Sequence, residues 1–229
     1  MMPFSKLGGT ISERILEIRR TLPPSVRLIA VTKQVSVDAI REAYDAGIRD
    51  FGESRVQEAE VKQAQLQNLT GITWHLIGHL QTNKAQKAIG QFQWIHSVDS
   101  LKLAQKLNRL AEQLSRKPQI LLQVKLLPDP SKYGWSTFDL LKDLPELNRC
   151  EHLNIEGLMT IAPLGLNDSE ILAVFQQTRE LANKIATQNW SHIRMGQLSM
   201  GMSDDYELAV EAGATMIRLG RILFGDRPA

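Results

Sequence analysis

The sequence predicts an α/β fold, a single parallel (β/α)8 barrel over residues 1–229 preceded by one extra N-terminal helix. Three observations carry this. Short strand-like runs, the first of them apolar and rich in β-branched residues, recur about every 20 to 40 residues, and each is followed by helical or loop-helix sequence, the pattern of parallel β-α-β units. There are eight such runs, the number that closes a barrel. No long linker or composition shift divides the chain, and no glycine-rich dinucleotide fingerprint follows the first strand. The alternative with the same ingredients is an open doubly wound sheet.

Taking the elements in order, residues Thr10 to Arg20 form an amphipathic helix with Ile11, Ile15 and Ile18 at helical spacing and Ser12 able to cap its start. Pro23 and Pro24 end it. The first strand is Val26 to Lys33, continuous enough in apolar residues to be buried on both faces. A helix with Val37, Ile40, Ala43 and Tyr44 on one face stops at Gly47. The second strand is Asp50–Ser54, followed by a polar helix from Val56 to Leu69 with one side in water. The third is Thr73–Gly78, then a loop and helix from His79 to Gly90. The fourth, Trp94–Asp99, leads through a capping Ser100 into a helix whose Leu103, Leu107, Leu110 and Leu114 make a core stripe.

The fifth strand is Gln119–Leu126, followed by the loop Pro128–Gly134 and a helix from Thr137 to Leu147. The sixth is Asn154–Ile161, with Pro163 and Gly165 in a loop before a long helix from Asp168 to Gln188. The seventh is Gln197–Gly201, after which Asp204 and Glu207 have capping-box spacing for a helix ending at Gly213. The eighth is Thr215–Gly220, and Phe224-Gly225 begins the tail.

Composition excludes several classes. The chain has 229 residues, 43% hydrophobic and 23% charged, with a net charge of +2 and no dense basic block, so nothing calls for a nucleic acid or an anionic membrane. Its one cysteine, Cys150, permits no internal disulfide and fits a reducing compartment. Residues Met1 to Leu7 lack the apolar core of a signal peptide, and no run is long enough to span a bilayer, so the expected setting is cytoplasmic. No exposed apolar face is evident, which points to a monomer.

The chemistry gathers at the strand ends, where parallel folds bind ligands. Lys33 stands at the tip of the first strand; a solvated lysine snorkelling off a strand end is the plain alternative. In a barrel the eighth strand closes against the first, and the loops after strands seven and eight commonly hold phosphate. Ser199-Met200-Gly201 ends the seventh strand, and its hydroxyl and exposed backbone N–H groups suit an anion. Arg218 and Gly220 share one face of the eighth strand, so Arg218 points into the barrel beside Lys33, while Ile217 and Leu219 face the helices. A charge inside a barrel is costly unless paired or functional. A lysine, a phosphate cradle and an inward arginine suit pyridoxal 5'-phosphate, the lysine forming a Schiff base and the arginine keeping the pyridine nitrogen unprotonated. The same parts also suit a sugar-phosphate enzyme with Lys33 as base or electrophile. No metal site is expected: His75 and His79 fall across a strand and loop with no nearby third ligand, and each reads as structural. Gly196 to Gly201 has the wrong spacing for a nucleophile elbow.

The stretches Leu28–Lys33, Phe51–Ser54, Trp74–Lys84, Gly157–Ile161, Leu198–Asp205 and Ile217–Gly225 resemble, in order and over almost the whole chain, the pyridoxal phosphate homeostasis proteins. The resemblance implies a barrel like the N-terminal domain of alanine racemase, with Lys33 as the Schiff-base lysine and Arg218 opposite the ring nitrogen. It implies that Ser199, Gly201 and backbone N–H groups at Gly220 and Arg221 hold the phosphate, with Met159 and Ile77 lining the ring. The family often has asparagine where this chain has Ser54, whose single, shorter hydroxyl would meet the ring from the second strand. Lys132 matches a family lysine, or is a solvated loop charge.

The implied function is to hold, buffer and deliver pyridoxal 5'-phosphate to recipient apo-enzymes without substantial catalysis. A racemase needs a second base on the opposite substrate face, which alanine racemase carries on another domain; the chain ending after the eighth strand leaves no room for one. Tyr44, Tyr133 and Tyr206 are the only tyrosines, and Tyr133 alone could reach the mouth. The alternatives are a small racemase or decarboxylase using Lys33, and a protein-interaction module regulating amino-acid metabolism.

Overall fold

The computed structural model describes residues 8–129 and 132–225. The expectations for Met1–Leu7, for Pro130 and Ser131 in the fifth loop, and for the tail beyond Gly225 lie outside them. The eight strands are β1 (Arg27–Val31), β2 (Asp50–Glu53), β3 (Thr73–Leu76), β4 (Trp94–Val98), β5 (Gln119–Gln123), β6 (Asn154–Met159), β7 (Ile193–Ser199) and β8 (Met216–Leu219). They are all parallel and close in sequence order into a barrel, with β8 back against β1. The helices are α1 (Ile11–Thr21), α2 (Val37–Asp45), α3 (Val56–Gln65), α4 (Ala85–Gln91), α5 (Leu101–Gln113), α6 (Thr137–Leu147), α7 (Asp168–Ala186), α8 (Tyr206–Glu211) and α9 (Arg221–Phe224). The fold class and the extra N-terminal helix are therefore as the sequence predicts, and the open sheet is not.

Two apolar layers hold the barrel. The larger lies between strands and helices and includes Phe51, Ile95, Ile120, Leu122, Leu158, Ile217 and Leu219. The smaller fills the barrel interior with Ile29, Trp94, Leu121, Met159 and Met216. The two sets alternate along β1, β4, β5, β6 and β8, as a pleat with a period of two requires. No described helix is long and apolar enough to cross a membrane.

Several local expectations change. Thr10, not Ser12, caps α1: its side chain accepts from the Glu13 backbone N–H, and Glu13 returns the bond to the Thr10 N–H, a complete capping box. Ser100 occupies the N-cap of α5, but its hydroxyl bonds Asp99 instead of a helix N–H. Leu114 is past the last turn of α5 and 38% exposed, so the core stripe ends at Leu110. Asp204 and Glu207 form no capping box; α8 starts from Asp205, and Asp204 pairs with Arg221. β7 begins at Ile193 because Ile193 pairs with Ile155; the ladder then shifts register before Gln197. Phe224, read as the start of the tail, closes the short helix α9, and Gly225 is its C-cap. Most strands stop short of the predicted C-terminal ends, because those residues leave the ladder and form the mouth of the barrel.

Candidate functional site

A cavity of about 400 Å³ opens at the C-terminal mouth of the barrel. Of the residues predicted for a site, Lys33, Ser54, Ile77, Arg218, Gly220 and Arg221 line it. The β1–β8 pairing sets Ile29 opposite Arg218, so the strands carrying Lys33 and Arg218 are neighbours, as the closed barrel requires.

Lys33 stands just beyond β1, and the residues on either side of it are clamped. The Thr32 backbone N–H still reaches the Gly52 carbonyl at 2.9 Å. The Thr32 hydroxyl donates to Glu53 Oε1 at 2.6 Å, and Lys62 Nζ donates to the Thr32 carbonyl at 2.6 Å. On the other side Gln34 adopts a left-handed φ of 60°, unusual for a residue with a Cβ, and its N–H donates to Glu58 Oε1 at 2.5 Å. Lys62 joins the clamps by donating to Glu53 Oε1 at 2.9 Å and to Glu58 Oε1 at 2.6 Å. Glu53 is fully buried, and burial pushes its carboxyl upward against the lowering pull of Thr32 and Lys62. Nothing in the one-dimensional pattern marked Lys62: on a polar helix it reads as a solvated lysine. Gly78, which also lines the cavity, has no room for a Cβ, which would lie 2.3 Å from the Ser54 carbonyl oxygen.

Arg218 points into the barrel and is 4% exposed. Its Nη1 donates to Ser199 Oγ at 2.7 Å and its Nη2 to the Thr160 carbonyl at 3.0 Å. Burial lowers its pKa to about 10, with Asp205 opposing, so the guanidinium stays charged at neutral pH.

Three predicted residues lie away from the cavity wall. Ser199 is fully buried, its hydroxyl shared between Arg218 and His96, whose Nδ1 is 2.8 Å away. Met159 belongs to the packed barrel interior below the mouth. Gly201 turns the chain at φ 90° against α8, where a Cβ would sit 2.6 Å from that of Ala209. Of the two serines at the end of β7 and just beyond it, Ser203 is the one that reaches the wall, and its Oγ accepts from the Gly220 and Ile222 N–H groups at 3.4 and 3.5 Å. Ser199 is still in the ladder of β7, below the mouth, whereas Ser203 lies beyond it. The repeated serine in Ser199-Met200-Gly201-Met202-Ser203 was the available signal.

Further wall residues come from the other loops. His79 is 2.9 Å from Asp99 and stacks on Tyr133 with ring centroids 3.6 Å apart. Lys132 and Gln123 also line the cavity. His75 is not paired with His79. It lies in the barrel between Asp50 and His96, at 2.9 Å from each. Burial holds both His75 and His96 below the usual imidazole range, His96 further because His75, Arg218 and Arg27 add to the effect.

This has a consequence for stability. Each imidazole binds fewer protons folded than unfolded, so its contribution is full above the unfolded value of 6.5 and is lost as pH falls. The loss reaches about 1.4 kcal/mol per pH unit for each imidazole. Urea unfolding between pH 7.5 and 5 should show it, with a smaller slope in His96→Phe; a pH-independent stability over that range would rule out the neutral pair.

Known proteins resemble this chain in sequence and in fold. Residues 9–228 match the family described as alanine racemase, N-terminal domain. A protein of Synechocystis sp. named pyridoxal phosphate homeostasis protein is 55% identical, over 92% of this chain and 96% of its own. The solved structure of PipY from Synechococcus elongatus with pyridoxal phosphate bound superposes with a TM-score of 0.91 at 54% identity, over 94% of this chain and all of that one. Alanine racemase of Clostridium difficile shares the fold alone, with a TM-score of 0.80 at 16% identity. With the barrel, the order of its motifs and near-full-length identity to named members in agreement, this chain belongs to the pyridoxal phosphate homeostasis protein family.

Proposed function

We propose that this protein binds pyridoxal 5'-phosphate through Lys33 and holds it for delivery to recipient apo-enzymes, with no substantial catalysis of its own. The observation that carries this is the joining, at one cavity, of Lys33 and the buried Arg218 from neighbouring strands. The donor set fits the cofactor. Its size is that of a small-molecule pocket. Arg221, Ser203 and the backbone at Gly220 offer positive charge and donors for a phosphate, and Arg218 is a donor that stays protonated beside a ring nitrogen. Ile77 and Ser54 border the space left for the ring. The cofactor contributes an aldehyde; the Lys33 amine adds to it and water leaves, so the cargo is held by one reversible covalent bond. The name shared by the relatives favours a carrier over an enzyme. The protein acts in this role as a cytoplasmic monomer.

A small racemase or decarboxylase is the second reading, favoured by His79 and Tyr133, which bring acid–base groups to the cavity wall. The deciding experiment is to load the protein with pyridoxal 5'-phosphate, reduce it with borohydride and locate the adduct by peptide mass spectrometry, while assaying single amino acids for turnover. A label on Lys33 without turnover supports the carrier. Turnover that disappears in Lys33→Ala supports the enzyme, and an unlabelled Lys33 removes both. Arg218→Glu should shift the absorption of the bound cofactor and speed its loss on gel filtration; unchanged behaviour would remove Arg218 from the ring nitrogen.

A further inference from the structure

Five side chains form one hydrogen-bonded line through the barrel interior. Asp50 of β2 lies 2.9 Å from His75 Nε2 on β3. His75 Nδ1 lies 2.9 Å from His96 Nε2 on β4. His96 Nδ1 lies 2.8 Å from Ser199 Oγ on β7, and Ser199 Oγ lies 2.7 Å from Arg218 Nη1 on β8. His75, His96 and Ser199 have no solvent exposure, and Arg218 has 4%.

The line has only one consistent direction. An arginine N–H can only donate and a carboxylate can only accept, whereas a serine hydroxyl can do both. The Asp50 carboxylate therefore fixes the direction: His75 donates to it from Nε2 and, when neutral, accepts at Nδ1. His96 then carries its proton on Nε2, donated to His75 Nδ1, and accepts at Nδ1 from the Ser199 hydroxyl, whose oxygen accepts from Arg218. Every polar atom along the line is satisfied with both imidazoles neutral. Reversing either imidazole alone would set two hydrogens, or two lone pairs, against each other between two rings with no solvent exposure, at the cost of an unmade buried hydrogen bond. The Arg218 cation and the Asp50 anion stand at opposite ends, with the dipoles between them aligned.

We infer that His96 and His75, through Ser199, are positioning residues for Arg218: they lock its guanidinium in one orientation against the cavity, and with it the partner that the proposed cofactor's ring nitrogen meets. Only the last clause rests on the cofactor reading; the locking of Arg218 does not. The second tether, to the Thr160 carbonyl, restrains the guanidinium at Nη2 alone and leaves Nη1 to the serine. The strand-four histidine thus governs a group on strand eight that it never touches.

The test uses the full chain labelled with nitrogen-15, before and after loading with pyridoxal 5'-phosphate. In the unloaded protein at neutral pH, His75 and His96 should both be neutral with the proton on Nε2, and the Arg218 Nη resonances should be resolved by hindered rotation. In Ser199→Ala and His96→Phe those Arg218 resonances should merge. After loading, both variants should release cofactor about tenfold faster, the equivalent of one weakened hydrogen bond to a charged group. The absorption of their bound cofactor should also shift, and His96→Gln, which keeps one donor and one acceptor, should recover part of both effects. A proton on Nδ1 of either histidine, or unchanged Arg218 rotation in the folded Ser199→Ala protein, would overturn the inference. Should the parent take up no cofactor, the carrier reading fails while the imidazole and guanidinium resonances still decide the relay.

Discussion

Replacing Lys62 with methionine is expected to cost about 3–5 kcal/mol of stability, the usual penalty for removing one partner of a buried ion pair. Lys62 is 7% exposed and its ammonium makes three bonds, to Thr32, Glu53 and Glu58, so the methionine fills the space but leaves the fully buried Glu53 with the Thr32 hydroxyl alone. The cost should depend on pH with a definite sign. Burial already raises the folded-state pKa of Glu53 above its ordinary value of 4.5, and Lys62 is among the groups pulling it down. A raised carboxyl favours the folded state at low pH and disfavours it as pH rises past the folded value. Loss of Lys62 widens that window, so Lys62→Met should be most handicapped at pH 8 and much less so at pH 5. Urea unfolding at the two pH values measures this. The double variant Lys62→Met/Glu53→Gln, which removes the stranded charge, should recover part of the loss. Equal costs at both pH values, with no recovery in the double variant, would mean that the cluster does not carry a buried charge. Because the same bonds clamp Thr32 and Gln34, the single variant should also loosen the Lys33 turn and slow cofactor capture.

Lys33→Ala should have the opposite profile, nearly silent in stability and total in cofactor attachment. Lys33 is half-buried at the rim, where substitutions cost within about 1 kcal/mol. The parent, loaded at about 100 times its dissociation constant, should gain about 2.7 kcal/mol. In a chain of this size that is roughly 5–10 °C in melting temperature. The variant should lose most of the gain and yield no borohydride-fixed adduct. The informative alternative is an adduct that moves to Lys132, which lines the same cavity. A fixed label of parental yield on Lys132 in Lys33→Ala would reassign the covalent lysine.

Much of this was legible in one dimension, and the reason is periodicity. Eight strand-like runs separated by helical sequence point to parallel β-α-β units and a barrel, and alternation along β8 sets Arg218 inward and Leu219 outward before any coordinate is known. Lys33 was legible because it ends an apolar strand at the rim where such barrels bind. Depth was not legible. A serine at Ser199 and one at Ser203 look equivalent in the string, but the closed ladder puts the first inside the barrel and the second on the cavity wall. Nor could spacing pair His75 with His96, or bring Lys62 of α3 under the Lys33 turn. Those contacts join residues from different β-α units, and their partners are chosen by the twist and closure of the sheet. The barrel, the inward arginine and the lysine at its rim can be read from the chain alone, because they follow from local period and strand order. Which polar groups meet in the interior was settled by closure of the sheet, because a buried donor or charge is costly without a partner and the fold chooses which residues stand beside it.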